Sequence, residues 1–347
     1  MGDDKRKASE ISNQINVSKS TVSKALNNCS SVNPETKLAI LKAAKELQYT
    51  PAQKLRIGKK NTAWTIGVVM PINPHYFWGS IIEGIKAAGQ HYPEIRVVFS
   101  LFANLSSKQD ALYCLEYLQD LQIDLLVVTP PAFSEIHDML NEIAKAIPVV
   151  CLNETAGVPF QFYVGANFYQ DGVRLARACA QTLRKHPNIV QISERDLPMV
   201  HKREEGFHRE TEALVPEVSW IGTVQMETLP VSTLSAQIAA ILHEQYGGMF
   251  QSVYVSQGFL PQVCLALKKL KLTESIAVFG YENPKQNDRY ISLGMISAFI
   301  EQDTYRQGYC CMEAVAAYLT EGRLPDNRCL YVPSRLYAQG WDAGENT

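Results

Sequence analysis

The stretch NVSKSTVSKALNN, Asn16 to Asn28, sets two lysines and a row of hydroxyl and amide side chains around a thin apolar stripe. Wound at about 100° per residue, Thr21, Val22, Ala25 and Leu26 fall on one face. Ser20, Ser23, Lys24 and Asn27 point the other way, with Lys19 on the flank. Ser18 precedes the turn as an N-cap, its hydroxyl placed to accept from a free backbone N–H. The outer face carries cations and hydrogen-bonding groups and no acid. That chemistry suits phosphate oxygens and base edges.

Other chemistries find little support. Eight cysteines are scattered singly apart from Cys310–Cys311, and none forms a C-x-x-C pair. They read as reduced core thiols. Seven histidines show no H-x-x-x-H spacing, so no metal site is expected. Neither G-x-x-x-x-G-K-[ST], a strand-borne G-x-G-x-x-G nor a G-x-S-x-G elbow occurs, which argues against kinase, dehydrogenase and hydrolase readings. No enzyme activity and no cofactor are expected.

Several elements must position the cationic face. SEISNQI places Ile11 and Ile15 four apart on a short helix. Asn16 then tolerates a left-handed turn, Val17 plugs the joint, and the second helix follows. A third opens at Asn33–Pro34, a cap with proline at the first helical position, and brings Ile40, Ala43, Ala44 and Leu47 to the core. Three such helices make a DNA-reading headpiece whose second helix enters the major groove.

A chain of 347 residues exceeds one ordinary core, so two or three domains are expected. The net charge of −2 conceals an asymmetry: residues 1–60 hold twelve Lys/Arg against five Asp/Glu, leaving 21 against 30 in the rest. A basic head on an acidic body favours a polyanion for the head. No apolar run reaches 18 residues, and MGDDKRKASE is not a secretory signal, so no membrane partner and a cytoplasmic location are expected. From Thr65, short β-branched runs (TIGVVM, IRVVFSL, DLLVVT, IPVVCL, then NIVQIS, VSWIGTV, SVYVS, IAVFGY) alternate with helical stretches. That rhythm predicts two doubly wound lobes of parallel sheet, with ligands beyond the carboxyl ends of the strands.

INVSKSTVSKALNN followed by VNPETKLAILKAAKELQYTP resembles the headpiece of the LacI/GalR family of bacterial repressors. Val17, Ser18, Thr21, Val22, Ser23, Asn27, Leu47, Tyr49 and Pro51 match the family pattern, while Asn16 replaces its turn glycine and Lys24 its arginine. The resemblance implies that Lys19, Ser20 and Lys24 read bases and that Ser18, Ser23 and Asn27 contact phosphates, with Thr21 in the same helix. Lys24 lacks arginine's planar fork, so it should read its base less sharply. The family's hinge leucine, which wedges into the minor groove, corresponds to Leu55. Here Pro51 lies only four positions before Leu55 where the family usually has seven, so about one helical turn is missing.

The body, roughly Trp64 to Tyr337, resembles the type I periplasmic sugar-binding fold that the same family uses as effector domain. The landmarks are PINPHYFWGSIIEGIKAAG, IPVVCLNE, YVGANFYQDG, KREEGF, VFGYEN and AFIEQDTYRQG. The family's aromatic pair maps onto Phe77 and Trp78, or onto His75 and Tyr76 if registered on Asn73–Pro74. Its arginine maps onto Arg203, its acid onto Glu282 and its late glutamine onto Gln302. Three positions depart from the pattern: Asn153–Glu154 stands for Asp-Arg, Asn167 for Asp, and SQG (Ser256 to Gly258, with Gln257 the ligand candidate) for Asn-Asp. The expected effector is a small sugar-like or polyol molecule in a cleft between the lobes.

The expected architecture is therefore an all-α three-helix headpiece over 1–48, a shortened linker over 49–62 and an α/β effector-binding body over 63–347. The N-lobe should take about 63–165 plus 300–330, and the C-lobe about 166–299 plus 331–340. Function should be that of a repressor binding a palindromic operator in double-stranded DNA as a homodimer. Two alternatives stay open: a sugar-binding receptor without regulation, and a regulator in which the ligand acts as co-repressor or the protein as activator.

Overall fold

The computed structural model describes residues 9–26, 32–47, 63–194, 197–226, 231–273, 275–282 and 284–338. The expected linker over 49–62, with Leu55, lies outside these residues, as does Asn27.

The headpiece consists of α1 (9–14), α2 (Lys19–Leu26) and α3 (Pro34–Glu46). Asn16 takes the left-handed conformation, φ +51°, between the first two helices, and Ser12 Oγ closes the turn by donating to the Val17 carbonyl, 2.6 Å. Ser18 Oγ accepts from the Thr21 N–H at 3.1 Å, and Asn33 caps α3 by accepting from the Glu35 N–H at 2.8 Å. Ile11, Val22, Ala25, Leu26, Ile40, Ala43 and Ala44 are buried together, so the three faces read from the sequence do meet.

The body runs β1 (Trp64–Pro71), α4 (His75–Gly89), β2 (Ile95–Phe102), α5 (Lys108–Asp120), β3 (Leu125–Val128), α6 (Ser134–Ala146), β4 (Val149–Leu152) and β5 (Phe162–Gly165). It continues with α7 (Phe168–Lys185), β6 (Asn188–Glu194), α8 (Pro198–Leu214), β7 (Ser219–Met226), α9 (Val231–Ile241), β8 (Ser252–Val255), α10 (Leu260–Lys269), β9 (Ala277–Tyr281), α11 (Pro284–Ser292) and β10 (Ile296–Glu301). Last come α12 (Thr304–Glu321), β11 (Cys329–Tyr331) and β12 (Arg335–Ala338). One sheet has the order β11-β5-β4-β3-β1-β2 and the other β12-β10-β9-β8-β6-β7. The inner pairings are parallel, and β12 closes the second sheet antiparallel to β10. Strands such as Leu125–Val128 and Ser252–Val255 are buried throughout, as β-branched runs covered by helices on both faces should be.

Two compact units result. The first comprises residues up to Gly165 and Thr304–Leu330, and the second Ala166–Asp303 and Tyr331 onward. The chain returns to the first unit at Thr304, after β10, which pairs with β9 and β12. The headpiece falls within the first unit. Its α3 lies against the edge strand β2 and against α5: Lys37 Nζ donates to the Phe99 carbonyl, Lys42 pairs with Asp110, and Lys45 pairs with Glu116. Lys37 is only 8% exposed, and burial lowers its pKa to about 8. No helix among the described residues is long and apolar enough to cross a membrane.

In each unit one helix pair approaches so closely that only glycine fits. A Cβ on Gly84 of α4 would stand 2.1 Å from the Tyr305 carbonyl oxygen, and one on Gly308 of α12 would stand 2.0 Å from that of Ile81. In the second unit a Cβ on Gly172 of α7 would meet the Arg203 carbonyl at 2.2 Å, and one on Gly206 of α8 that of Tyr169 at 2.1 Å. Backbone approach of this kind seats α8, and with it Arg203.

Candidate functional site

On α2 the side chains of Lys19, Ser20, Ser23 and Lys24 are exposed, Thr21 is half-buried, and Val22, Ala25 and Leu26 turn inward. The first turn holds no acid. Ser18, also exposed, is shared among the Thr21 N–H, Ser20 Oγ (2.7 Å) and Thr21 Oγ1 (2.8 Å). A row of donors and two ammonium groups thus faces solvent, and at the N-terminal end, where Ser18, Lys19 and Ser20 sit, the helix's partial positive charge also favours anions.

In the first unit the candidates cluster at carboxyl ends of strands. His75 and Tyr76 open α4, both exposed, and Phe77 is half-buried. Trp78 is 4% exposed and lies on the buried stripe of α4 with Ile81, Ile82 and Ile85. Helical phase turns its ring inward, edge-on to Phe77 at 4.8 Å. Asn153, after β4, is buried at φ +65° and donates through Nδ2 to Gln307 Oε1, 2.8 Å. Glu154 Oε1 accepts from the N–H groups of Thr155 and Ala156, 2.7 and 2.9 Å, and so shapes its own loop.

The second unit gathers its candidates more tightly. Asn167 caps α7 by accepting from the Gln170 N–H at 3.1 Å. Arg203, on α8, is 2% exposed. Its Nη2 donates to Glu282 Oε1 at 2.7 Å, its Nη1 lies 3.5 Å from the Ser256 carbonyl oxygen, and its guanidinium carbon lies over the rings of Tyr281 (4.2 Å) and Phe168 (5.0 Å). Glu282 sits just past β9 with φ +65°. The same Oε1 accepts from Gln302 Nε2 at 2.8 Å, and Asn287 Nδ2 donates to the Glu282 carbonyl at 2.8 Å. Gln257 is half-buried beside Ser256. Arg203, Glu282 and Gln302, far apart in sequence, are therefore brought into one hydrogen-bonded group.

Three participants escaped the sequence reading although they lie inside quoted motifs: Phe168 and Asp171 of YVGANFYQDG, and Tyr281 of VFGYEN. Asp171 is buried, accepts from Ser334 Oγ at 2.7 Å and lies 3.5 Å from Arg174 Nη1. Desolvation raises its pKa to about 6, against the opposing effects of the Ser334 bond, Arg203 and Arg174.

A family model described as "Periplasmic binding protein domain" matches residues 66–323, and one described as "Bacterial regulatory proteins, lacI family" matches residues 9–52. Among curated proteins, the NTD biosynthesis operon regulator NtdR of Bacillus subtilis is 32% identical over 145 residues, 42% of this chain and 43% of that protein. Catabolite control protein B of the same organism is 30% identical over 183 residues, 52% of this chain and 55% of that protein. These matches span about half the length of the relatives. The crystal structure of an ABC transporter solute binding protein from Bacillus halodurans C-125, with bound myo-inositol, shares the fold at a TM-score of 0.69 and 20% identity, over 81% of this chain and 96% of that one.

Proposed function

The chain belongs to the periplasmic binding protein domain family, and from that premise we propose that it is a DNA-binding transcriptional regulator, a repressor, controlled by a small sugar-like or polyol effector. The observation that carries this reading is the exposed, acid-free face of α2, with Lys19, Ser20, Ser23 and Lys24, inside the segment that matches the lacI-family model. Two such faces reading a palindrome call for a homodimer, and a genomic operator as partner places the protein in the cytoplasm. Residues 1–48 act as headpiece, 49–62 as linker and 63–347 as effector-binding body. The effector contacts the groups at the strand ends of the body: His75, Tyr76, Phe77 and Trp78 with Asn153 and Glu154 in the first unit, and Asn167, Arg203, Gln257, Glu282 and Gln302 in the second. Coupling of about 1–3 kcal/mol between effector and DNA suffices for regulation.

The test is selection from a random duplex library with the full chain, followed by anisotropy titration at fixed salt. The expected duplex is palindromic and bound about 1,000-fold tighter than a scrambled one, and the triple variant K19A/S20A/K24A loses that preference. Failure to enrich any duplex above the non-specific background refutes the regulator. Repeating the titration with effector reads the sign of control: an inducer weakens binding and a co-repressor tightens it.

A further inference from the structure

We propose that the seat of the headpiece on the first unit is an autoinhibitory contact: a ridge of acids and aromatic rings on β2 and α5 holds the lysines of α3, and a duplex is read at full affinity only by a head drawn out of this seat. The proposal rests on the reading of the head as the DNA-binding part.

Each partner carries one half of the contact. α3 brings Lys37, Lys42 and Lys45, and α5 brings Asp110, Glu116 and Asp120 against Lys108 alone. Lys42 pairs with Asp110 and Lys45 with Glu116. Residues 110, 113 and 116 lie three apart and so form one row along the helix. Tyr113, the middle member, lies under both ammonium groups, its ring centre 5.8 Å from that of Lys42 and 4.8 Å from that of Lys45. Lys37 donates to the Phe99 carbonyl on β2 and stands 6.0 Å from the ring centre of Tyr117. Glu46, at the end of α3, turns to its own head instead and accepts from Gln14 Nε2 at 2.9 Å. Beneath the charges the contact is apolar: Leu38, Ile40 and Leu41 of α3 belong to the same buried cluster as Val98 of β2 and Cys114 and Tyr117 of α5. Exposed ion pairs alone hold little; the shared apolar cluster makes the seat a defined position.

Such a seat opposes DNA binding in two ways. Affinity for a duplex grows with the number of cations that replace its counter-ions, and three lysines of the head are committed to the body. A dimer must also set two recognition helices into major grooves one helical turn apart, and heads fixed to their bodies keep whatever spacing the bodies dictate. The outer face of α2 stays exposed in the seated head, so contact with DNA begins there and release follows. A head seated about nine-tenths of the time raises the apparent Kd about tenfold.

The experiment compares full-chain variants by anisotropy titration at one salt concentration, with the duplex obtained by selection. D110N/E116Q opens the seat. D138N/E142Q removes the same charge from exposed positions of α6 and corrects for weaker repulsion of DNA. D110N/E116Q is expected to bind about tenfold tighter than D138N/E142Q. In parallel, K45C/E116C is treated with a bismaleimide and the bridged peptides are read by mass spectrometry. The bridge should form readily in the free protein, saturating duplex should suppress it, and the bridged protein should bind the duplex about tenfold more weakly than the unbridged one. A bridge that leaves affinity unchanged, or D110N/E116Q binding no tighter than D138N/E142Q, overturns the autoinhibition and leaves the regulator standing. Failure of the free protein to form the bridge removes the seat itself, again without touching the regulator. If no duplex is enriched at all, the regulator reading falls and this proposal with it.

Discussion

At the scale of single residues, the second unit is governed by charges withdrawn from water. Removing one partner of the Arg203–Glu282 pair strands the other, so R203A should lose about 3–5 kcal/mol in urea denaturation. The double variant R203M/E282Q removes both charges and should recover most of that loss. An R203A protein as stable as wild type would show that the pair is solvated after all. Asp171 gives a pH signature. Its pKa rises from the ordinary 3.8 to about 6 on folding, so the folded state holds the proton more tightly. Its contribution to stability is complete below about pH 4 and is lost as pH rises through about 6. D171N should flatten that segment of the stability curve, with a gain on the order of 2 kcal/mol at pH 7 relative to pH 4; an unchanged curve would remove Asp171 as the source. Arg203, Glu282 and Gln302 were legible because each sits in a recognisable local motif. Their mutual bonding was not, since Arg203 and Glu282 lie 79 positions apart and nothing local records which side chain becomes whose counter-ion. The burial of Trp78 follows from the helical phase it shares with Ile81, Ile82 and Ile85.

At the scale of elements, the two glycine-knit crossings decide how precisely the helices sit. G206A places a methyl on the Tyr169 carbonyl, so α8 must move away from α7. Overpacking of this kind costs about 1–3 kcal/mol, and here it also shifts Arg203. Loss of melting temperature and loss of effector affinity should therefore appear together. G308A in the first unit should lower the melting temperature without moving Arg203. If G206A lost stability alone, α8 would not be the element that sets the position of Arg203. Periodicity made the helices and strands themselves legible: the α2 stripe, the Asn33–Pro34 start and the β-branched runs all follow from local preference. The close crossings were not, because a glycine inside a helix gives no sign of which backbone will approach it.

At the scale of the whole molecule, the unforeseen feature is that the headpiece belongs to the first unit, held by α3 on β2 and α5. Lys45 and Glu116 are 71 positions apart, and no sequence pattern ties a basic helix to one particular acidic helix. Lys37 makes this seat sensitive to pH. Its pKa falls from 10.5 to about 8 on burial, with the Phe99 carbonyl, the Tyr117 ring and Cys114 as surroundings. The seat is therefore least favourable below about pH 8 and strengthens as pH rises toward 10. Hydrogen exchange at the β2 amides, corrected for intrinsic rate, should show more protection at pH 9.5 than at pH 7, and K37M should abolish the difference. Equal protection in both proteins at both pH values would mean that Lys37 does not govern the seat.

The Lys42–Asp110 and Lys45–Glu116 contacts bear on how a binding isotherm is interpreted. A head that leaves this seat to follow a duplex surrenders them, and dissolved ions weaken these contacts just as they weaken contacts with phosphate. Raising ionic strength would then loosen the head from its own body while it loosens the duplex from the head, and the two effects oppose each other in the measured constant. The slope against salt would undercount the phosphates touched, and a variant lacking Lys42 and Lys45 would give the steeper, truer count.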